Sequence, residues 1–149
     1  MGRSATETLQ AYLAAQSRGA DEALQFIAGD AVFDVGRGRY EGPQEIHEFL
    51  QRLVAVNSRT LVLELRDVSA TEAVAVFEQR DDDLAPLGIE SIRLNVRVET
   101  TDDARIRTFT ARPTPESMQV LSAARNAGRS SEGLRLAERA ETLPPNTAT

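Results

Sequence analysis

The residues of this sequence best suited to acid–base chemistry are an arginine and the aspartates that follow it. The run "FEQRDDDLAP" starts at the last residue of the apolar stretch "AVAVF" and places Arg80 and Asp82 two residues apart. Side chains two positions apart on a β-strand point to the same face, so Arg80 and Asp82 share a face, and Glu78 shares it too. If that face is turned inward, the run predicts a pocket in which a cation lies between carboxylates.

The alternation offers two candidate inner faces for this strand. One stripe comprises Val74, Val76, Glu78, Arg80 and Asp82, and the other comprises Ala73, Ala75, Phe77, Gln79 and Asp81. The two valines favour the first stripe as the inner one, and we expect Arg80 and Asp82 to point inward. Phe77, the largest apolar residue in the stretch, favours the second stripe, which would leave the charges as a solvated turn.

An inward guanidinium between two carboxylates would suit the addition of water to an epoxide. That reaction needs an acid to protonate the epoxide oxygen and a base to deprotonate the water, both held in a dry site. A planar guanidinium can hold two carboxylates at once and keep them in opposite protonation states. Arg80 and Asp82 would supply two of these three groups, and Glu78 could supply the second carboxylate.

Length and composition narrow the functional classes. The chain has 149 residues, of which 41% are hydrophobic, as expected for one soluble globular domain. A net charge of −6 disfavours binding to nucleic acid or to an anionic membrane. The absence of cysteine excludes disulfides and thiolate zinc sites, and no ligand spacing for a metal is present. With neither a secretory signal nor an apolar run long enough to cross a bilayer, we expect a cytoplasmic protein without a cofactor.

Apolar residues recur at helical spacing in the first third of the chain and alternate from Thr60 to Arg112. The helical part predicts three helices, over 5–18, over 20–30 and after Gly42, with a glycine-rich hairpin before the last of them. The alternating part predicts four strands, "TLVLELRDV", "EAVAVFEQRDD", "IESIRLNVRVET" and "RIRTFTAR". A final helix is predicted from Thr114 as N-cap to Gly128. We expect one domain over residues 1–128 and an extension, a short helix and a frayed tail, over 129–149.

This order of elements, with the segment "GDAVFDVGRGRYEGPQEIHEFLQRL", resembles the nuclear transport factor 2-like superfamily, also called SnoaL-like. The resemblance runs from about Ala5 to about Leu121. It implies an α+β, cystatin-like cone, in which N-terminal helices pack on a curved antiparallel or mixed sheet around an apolar pocket. We expect Ile46, Leu50, Leu94, Val96 and Val98 to be buried there.

Within the superfamily, "QRDDD" and the later hairpin "DDARI" are similar to the limonene-1,2-epoxide hydrolases. That family carries Arg-x-Asp on an inner strand, so the resemblance implies an epoxide hydrolase-like enzyme with Arg80 and Asp82 in its catalytic site. The sequence departs from the family where Ala111 replaces an aspartate of the last strand. It departs again where Phe33 and Val35 replace the tyrosine and asparagine that hold the water.

Other functions stay open on the same fold. Tyr12 and Asp34 are placed somewhat like the tyrosine and the basic aspartate of ketosteroid isomerases, which would polarise a carbonyl and move a proton. An isomerase or a polyketide cyclase-like activity is therefore one alternative, and non-catalytic binding or dimerisation is another. In each small-molecule case we expect an apolar ligand in a pocket lined by Tyr12, Phe33, Asp34, Val96, Phe109 and Ala111.

The third predicted strand also indicates how the protein assembles. Its polar side, which would face away from the core, carries Arg93, Asn95, Arg97 and Glu99. These side chains are able to pair across a twofold axis. We therefore expect a homodimer formed through the outer face of the sheet.

Overall fold

The computed structural model of the protein describes residues 4–36 and 38–127. It contains the helices α1 (Ala5–Gln16), α2 (Ala20–Leu24) and α3 (Gly42–Ala55), and a helix α4 over 115–127. Its strands are β1 (Ile27–Asp34), β2 (Arg39–Glu41), β3 (Arg59–Ser69), β4 (Glu72–Arg80), β5 (Ile92–Thr100) and β6 (Ile106–Pro113). A 3-10 turn, Asp82–Leu87, joins β4 to the segment that leads into β5.

The strands form one sheet in the order β2-β1-β6-β5-β4-β3. Strands β3 to β6 are an antiparallel meander, and β1 pairs with β6 in parallel. The last strand of the meander, β6, thus pairs with the N-terminal hairpin of β1 and β2. This pairing joins the two ends of the described chain in one sheet. The predicted α+β fold with a mixed sheet is confirmed.

Local signals set the starts of the helices. At α1 the hydroxyl of Ser4 accepts a hydrogen bond from the Glu7 amide at 3.2 Å, while the Ser4 amide donates to the Glu7 carboxylate at 3.1 Å. This reciprocal cap satisfies two donors that the helix itself cannot. The amide and hydroxyl of Thr6 also donate to the carboxylate of Asp67, at 3.0 and 3.1 Å, which ties the start of α1 to the edge strand β3. At α3, Gly42 has φ +82°, a conformation that favours glycine.

Helices α1 and α3 cover one face of the sheet, and the core lies between them. Alternation along β5 buries Leu94, Val96 and Val98 and exposes the residues between them, as predicted. Ile46 and Leu50 of α3 are fully buried on the same side, also as predicted. A second, smaller apolar cluster forms where Leu121 of α4 packs near Leu84 and Ile89.

The second helix is shorter than predicted. It ends at Leu24, and the residues from Ile27 onward form β1, which pairs with β2 on one side and with β6 on the other. The glycine of "IAGD" predicts that the helix ends there and that the hairpin follows it, whereas the first strand of the hairpin already begins at Ile27. Pairing with β6, a long-range interaction, outweighs the local helical pattern here.

The predicted helix end at Gly128 and the predicted extension over 129–149 lie outside the described residues. Within residues 4–36 and 38–127, no helix has both the length and the apolar character needed to cross a bilayer. The start of α4 is as predicted, because the Thr114 hydroxyl accepts from the Ser117 amide at 3.3 Å.

Candidate functional site

Strand β4 turns the opposite face inward from the one we expected. Ala73, Ala75 and Phe77 are buried, whereas Val74 and Val76 are only half-buried. The prediction that the stripe with Arg80 and Asp82 faces inward is therefore wrong. Phe77 is 2% exposed and packs near Phe109, and burial of this large ring stabilises more than burial of a second valine would.

Arg80 lies on the outer side and binds two glutamates. Its guanidinium donates to Glu78 at 3.1 Å and to Glu90 at 3.0 Å. The hydrogen bonds to Glu78 and then to Glu90 raise the pKa of Arg80, so the guanidinium stays charged. The side chains of Arg80 and Glu90 are 45% and 82% exposed, so this cluster borders solvent.

Asp82 is not brought to Arg80. Strand β4 ends at Arg80, and Asp82 opens the 3-10 turn, where its carboxylate accepts from Arg59 at 3.2 Å. One guanidinium between two carboxylates does occur, but the second carboxylate is Glu90. Opposite protonation states for an acid and a base are favoured in a dry site, and this cluster is not one.

Five of the six predicted pocket residues do come together inside the fold. The rings of Tyr12 and Phe33 lie 6.0 Å apart between centroids, those of Tyr12 and Phe109 also 6.0 Å, and those of Phe33 and Phe109 stack at 4.9 Å. Val96 and Ala111 pair with each other across β5 and β6 and are buried.

These residues are part of a packed core. Leu9, Phe33, Ile46 and Leu50 have no accessible surface, and Tyr12 is 1% exposed. Val96, Phe109 and Ala111 are also buried, with 3%, 7% and 4% of their surface exposed. The side chains that we expected to line an apolar pocket are therefore packed in the core.

Asp34, the sixth predicted pocket residue, lies on the other side of the sheet. The alternation that buries Phe33 turns its neighbour outward, and the Asp34 carboxylate accepts from Arg112 Nη2 at 2.8 Å. Arg112 Nη1 also donates to the backbone oxygen of Asp34 at 2.9 Å. The Tyr12–Asp34 pair that an isomerase would require is therefore not assembled.

In the interior, the fully buried polar side chains of the described residues carry hydroxyl groups and no carboxylate. The buried polar side chains there are Thr8, Thr100 and Ser117, together with Tyr12. Burial raises the pKa of the Tyr12 hydroxyl far above its usual range, so it stays protonated. The Thr8 hydroxyl, one turn earlier on α1, is buried without a hydrogen-bond partner.

The opposite surface of β3 to β6, which we call the outer face, carries a broad depression of about 760 Å³. Val74 and Val76 of the central strand β4 lie in it, and Glu64, Arg66, Arg97 and Arg112 line it as well. The alternation of β5 predicted the polar row on this face. The depression was missed because the valines of β4 were expected to point inward.

Ion pairs within the chain fix some charges of the outer face and leave others unpaired. Arg97 pairs with Glu72, and Arg112 pairs with Asp34. Across the described residues, the remaining outward charges next to the depression form no ion pair. They are Glu64 and Arg66 of β3, and Arg93 and Glu99 of β5.

No protein-family model matches the sequence, and no curated protein is similar to it. Solved structures do match. A nuclear transport factor 2-like protein of unknown function from Cytophaga hutchinsonii has a TM-score of 0.62 at 8% identity, over 79% of this chain and 96% of that one. A proposed polyketide cyclase from Sinorhizobium meliloti has a TM-score of 0.61 at 18% identity, over 71% and 94%.

A third match is SalBIII, an epoxide hydrolase/cyclase-like enzyme with a role in pyran ring formation in the polyether salinomycin. It has a TM-score of 0.65 at 14% identity, over 74% of this chain and 91% of that one. The chain has the nuclear transport factor 2-like fold that the sequence resemblance implies. At these identities the comparisons show the fold alone.

The orientation of β4 predicts different costs for two substitutions in the same strand and turn. Phe77→Ala should lower the free energy of unfolding by about 3–5 kcal/mol, because it removes a buried ring. Asp82→Ala should lower it by less than about 1 kcal/mol, because the pair with Arg59 is exposed. Urea denaturation of both variants measures the difference, and a severe loss in Asp82→Ala would contradict the outward position.

The unpartnered hydroxyl of Thr8 predicts a stabilising substitution. Thr8→Val keeps the shape of the side chain and removes a buried polar group that has no partner, so the free energy of unfolding should rise by about 1 kcal/mol. Thr100→Val is the matched control, because the buried Thr100 hydroxyl donates to the Thr71 carbonyl at 3.4 Å. Loss of this hydrogen bond in Thr100→Val should lower the free energy of unfolding by about 1 kcal/mol. Urea titrations measure both variants, and an equal decrease of the free energy of unfolding in the two would mean that the Thr8 hydroxyl has a hydrogen-bond partner.

Proposed function

We propose that this chain, a protein of the nuclear transport factor 2-like fold, is a non-catalytic assembly module that pairs with a second copy through its outer face. The observation that carries the proposal is the depression of about 760 Å³ on that face. Its centre is apolar, and its rim carries charges of both signs.

Apolar surface on the outer face supports docking. Val74 and Val76 are half-buried at its centre, and Leu61, on the outward side of the edge strand β3, is 59% exposed. Burying apolar surface is favourable by about 25 cal/mol per Å². An apolar centre with a polar rim is the usual anatomy of a protein–protein interface.

The shape of the edge strand β3 favours docking of a second copy on the outer face over pairing of a second copy with the edge of the sheet. A long edge strand can add a strand from another molecule. Here the register of β3 shifts twice against β4, between Val62 and Glu64 and between Asp67 and Ser69. Such irregularities bend an edge and disfavour further pairing, which leaves the outer face as the better surface for a second copy.

The interior supports a non-catalytic role. A hydrolase or an isomerase of the predicted kinds needs a base beside its substrate. The buried side chains of the described residues include no carboxylate and no histidine. The activities named for SalBIII and for the proposed cyclase belong to those proteins, and one fold hosts many functions.

Epoxide hydrolysis is a second candidate, favoured by one observation. Arg80 bridges two carboxylates, those of Glu78 and Glu90, which is the arrangement of groups that the reaction needs. Glu78 is the less exposed of the two, with 18% of its side chain accessible. In this second candidate function, Arg80 and Glu78 are the catalytic residues. Asp82 takes no part, because it is bound to Arg59 instead.

The second candidate predicts that the full chain converts an epoxide to its diol and that Glu78→Gln abolishes the conversion. Diol formation from a panel of aliphatic and aryl epoxides, followed by chromatography, measures this. Asp102→Asn is the control, because Asp102 is an exposed carboxylate outside the cluster. A wild-type rate equal to that of buffer, or equal rates in wild type and Glu78→Gln, would reject epoxide hydrolysis by this cluster.

The assembly proposal predicts a particle of twice the 16.3 kDa of one chain at micromolar concentration. Val76→Arg should raise the dissociation constant of the dimer at least about tenfold, because it places a charge at the apolar centre of the interface. Val54→Arg is the matched control, since Val54 is an exposed valine on α3, away from the outer face. Light scattering coupled to size exclusion measures both variants, and a monomer mass for the wild type would reject the proposal.

A further inference from the structure

The four unpaired charges of the outer face form a pattern that is complementary to itself. Along β5 the outward residues run from Arg93, through Asn95 and Arg97, to Glu99, so the row is positive at one end and negative at the other. On β3, Glu64 lies level with Val76 and Arg66 lies level with Val74. Each strand therefore carries one unpaired charge of each sign, at different heights along the sheet.

The pairing of residues between strands shows at which level along the strand direction each charge lies. Val76 pairs with Asn95, and Val74 pairs with Arg97. The level of Val96 is thus the midpoint between Arg93 and Glu99 on β5. It is also the midpoint between the levels of Glu64 and Arg66 on β3.

We propose that two copies pair face to face about a twofold axis that lies in the interface, perpendicular to the strands and level with Val96. The inference rests on the proposed function, since it gives the arrangement of that dimer. Such an axis places each strand over the same strand of the second copy, running in the opposite direction. Each residue then lies over the residue of that strand that is equally far from the level of Val96 on the other side. Arg93 then lies over Glu99 of the second copy, and Glu64 lies over Arg66 of the second copy.

The same axis joins the apolar centres. Val74 lies over Val76 of the second copy, so the apolar centres of the two outer faces lie opposite each other. Because a twofold interface is isologous, every one of these pairs occurs twice. All four unpaired charges of each chain thereby gain a partner of opposite sign.

Sheet twist is compatible with this arrangement. Face-to-face sheets cross at about 30°, so charges about 10 Å from the axis are offset sideways by about 5 Å. The long side chains of Arg93 and Glu99 span that offset. One like-charge pair arises, between Glu72 and Glu78 of the second copy, and it also occurs twice. Each of these glutamates is already paired in its own chain, Glu72 with Arg97 and Glu78 with Arg80.

A twofold axis parallel to the strands fits less well. If it ran between β4 and β5, it would place Glu99 over Glu72 of the second copy, which opposes like charges. It would also place Arg66 over Thr110 of the second copy, without a charged partner. The parallel axis would also place Arg93 over Glu78 and Glu64 over Arg112 of the second copy, but Glu78 and Arg112 are already paired in their own chain, with Arg80 and with Asp34. It would give a partner of opposite sign to two of the four unpaired charges, whereas the axis perpendicular to the strands gives one to all four. The charge pattern therefore favours the axis perpendicular to the strands.

Charge reversal tests this arrangement in the full chain. Arg93→Glu and Glu99→Arg, each alone, set like charges against each other twice in a homodimer, and each should raise the dissociation constant at least about tenfold. A mixture of the two single variants should form a heterodimer as tight as the wild-type dimer within about threefold, because every reversed charge again meets its opposite. The double variant Arg93→Glu/Glu99→Arg should form a homodimer with a dissociation constant within about threefold of the wild type, for the same reason. Sedimentation velocity over a dilution series measures all of these.

Arg18→Glu is the control for net charge, since Arg18 is an exposed arginine at the end of α1. Its dimer should match the wild type. A wild-type dimer that resists both single reversals, or a mixture and a double variant that stay weak, would overturn this arrangement and leave the assembly proposal standing. A wild-type chain that is monomeric throughout would overturn both.

Discussion

The buried ring of Phe77 lies beside Phe109, which contacts Phe33 and Tyr12, so one aromatic cluster joins β4, β6, β1 and α1. Side chains alternate along a strand, and turning Phe77 inward therefore turns every second residue of β4 outward. Because paired residues of neighbouring strands point to the same face, the orientation of β4 also determines which residues of β3 and β5 point inward.

Charge placement follows from the same choice. A guanidinium in the core requires hydrogen-bonded partners of opposite charge, and its desolvation is costly even then. With Phe77 inside, Arg80 stays at the end of the strand, where Glu78, Glu90 and water surround it. The arrangement that resembled an active site in the sequence is an ion cluster on the surface of the folded chain.

The two faces of the sheet have different roles as a result. The inner face is filled by aromatic and aliphatic side chains, and its fully buried polar side chains among the described residues carry hydroxyl groups. The outer face combines the valines of β4 with unpaired charges on β3 and β5. These charged groups therefore lie on the outer face, and one fold can host many functions.

Elements with an unambiguous apolar pattern are predictable from the sequence alone. Strand β5 places every apolar residue on one side, so its buried and exposed faces follow from alternation alone. The start of α4 after Thr114 follows from capping chemistry, and the start of α3 at Gly42 follows from the proline in its first turn. The order of elements implies the cone. Strand β4 has apolar residues on both sides, and its local pattern leaves the inner face undecided. The inner face depends on tertiary packing, because Phe77 is favoured over the valines by its contact with Phe109 of β6, a residue far away in sequence. Strand β1 shows the same limit: its pairing with β6 joins Phe33 to Phe109, residues far apart in sequence, and this contact places Phe33 in the core and Asp34 outside it.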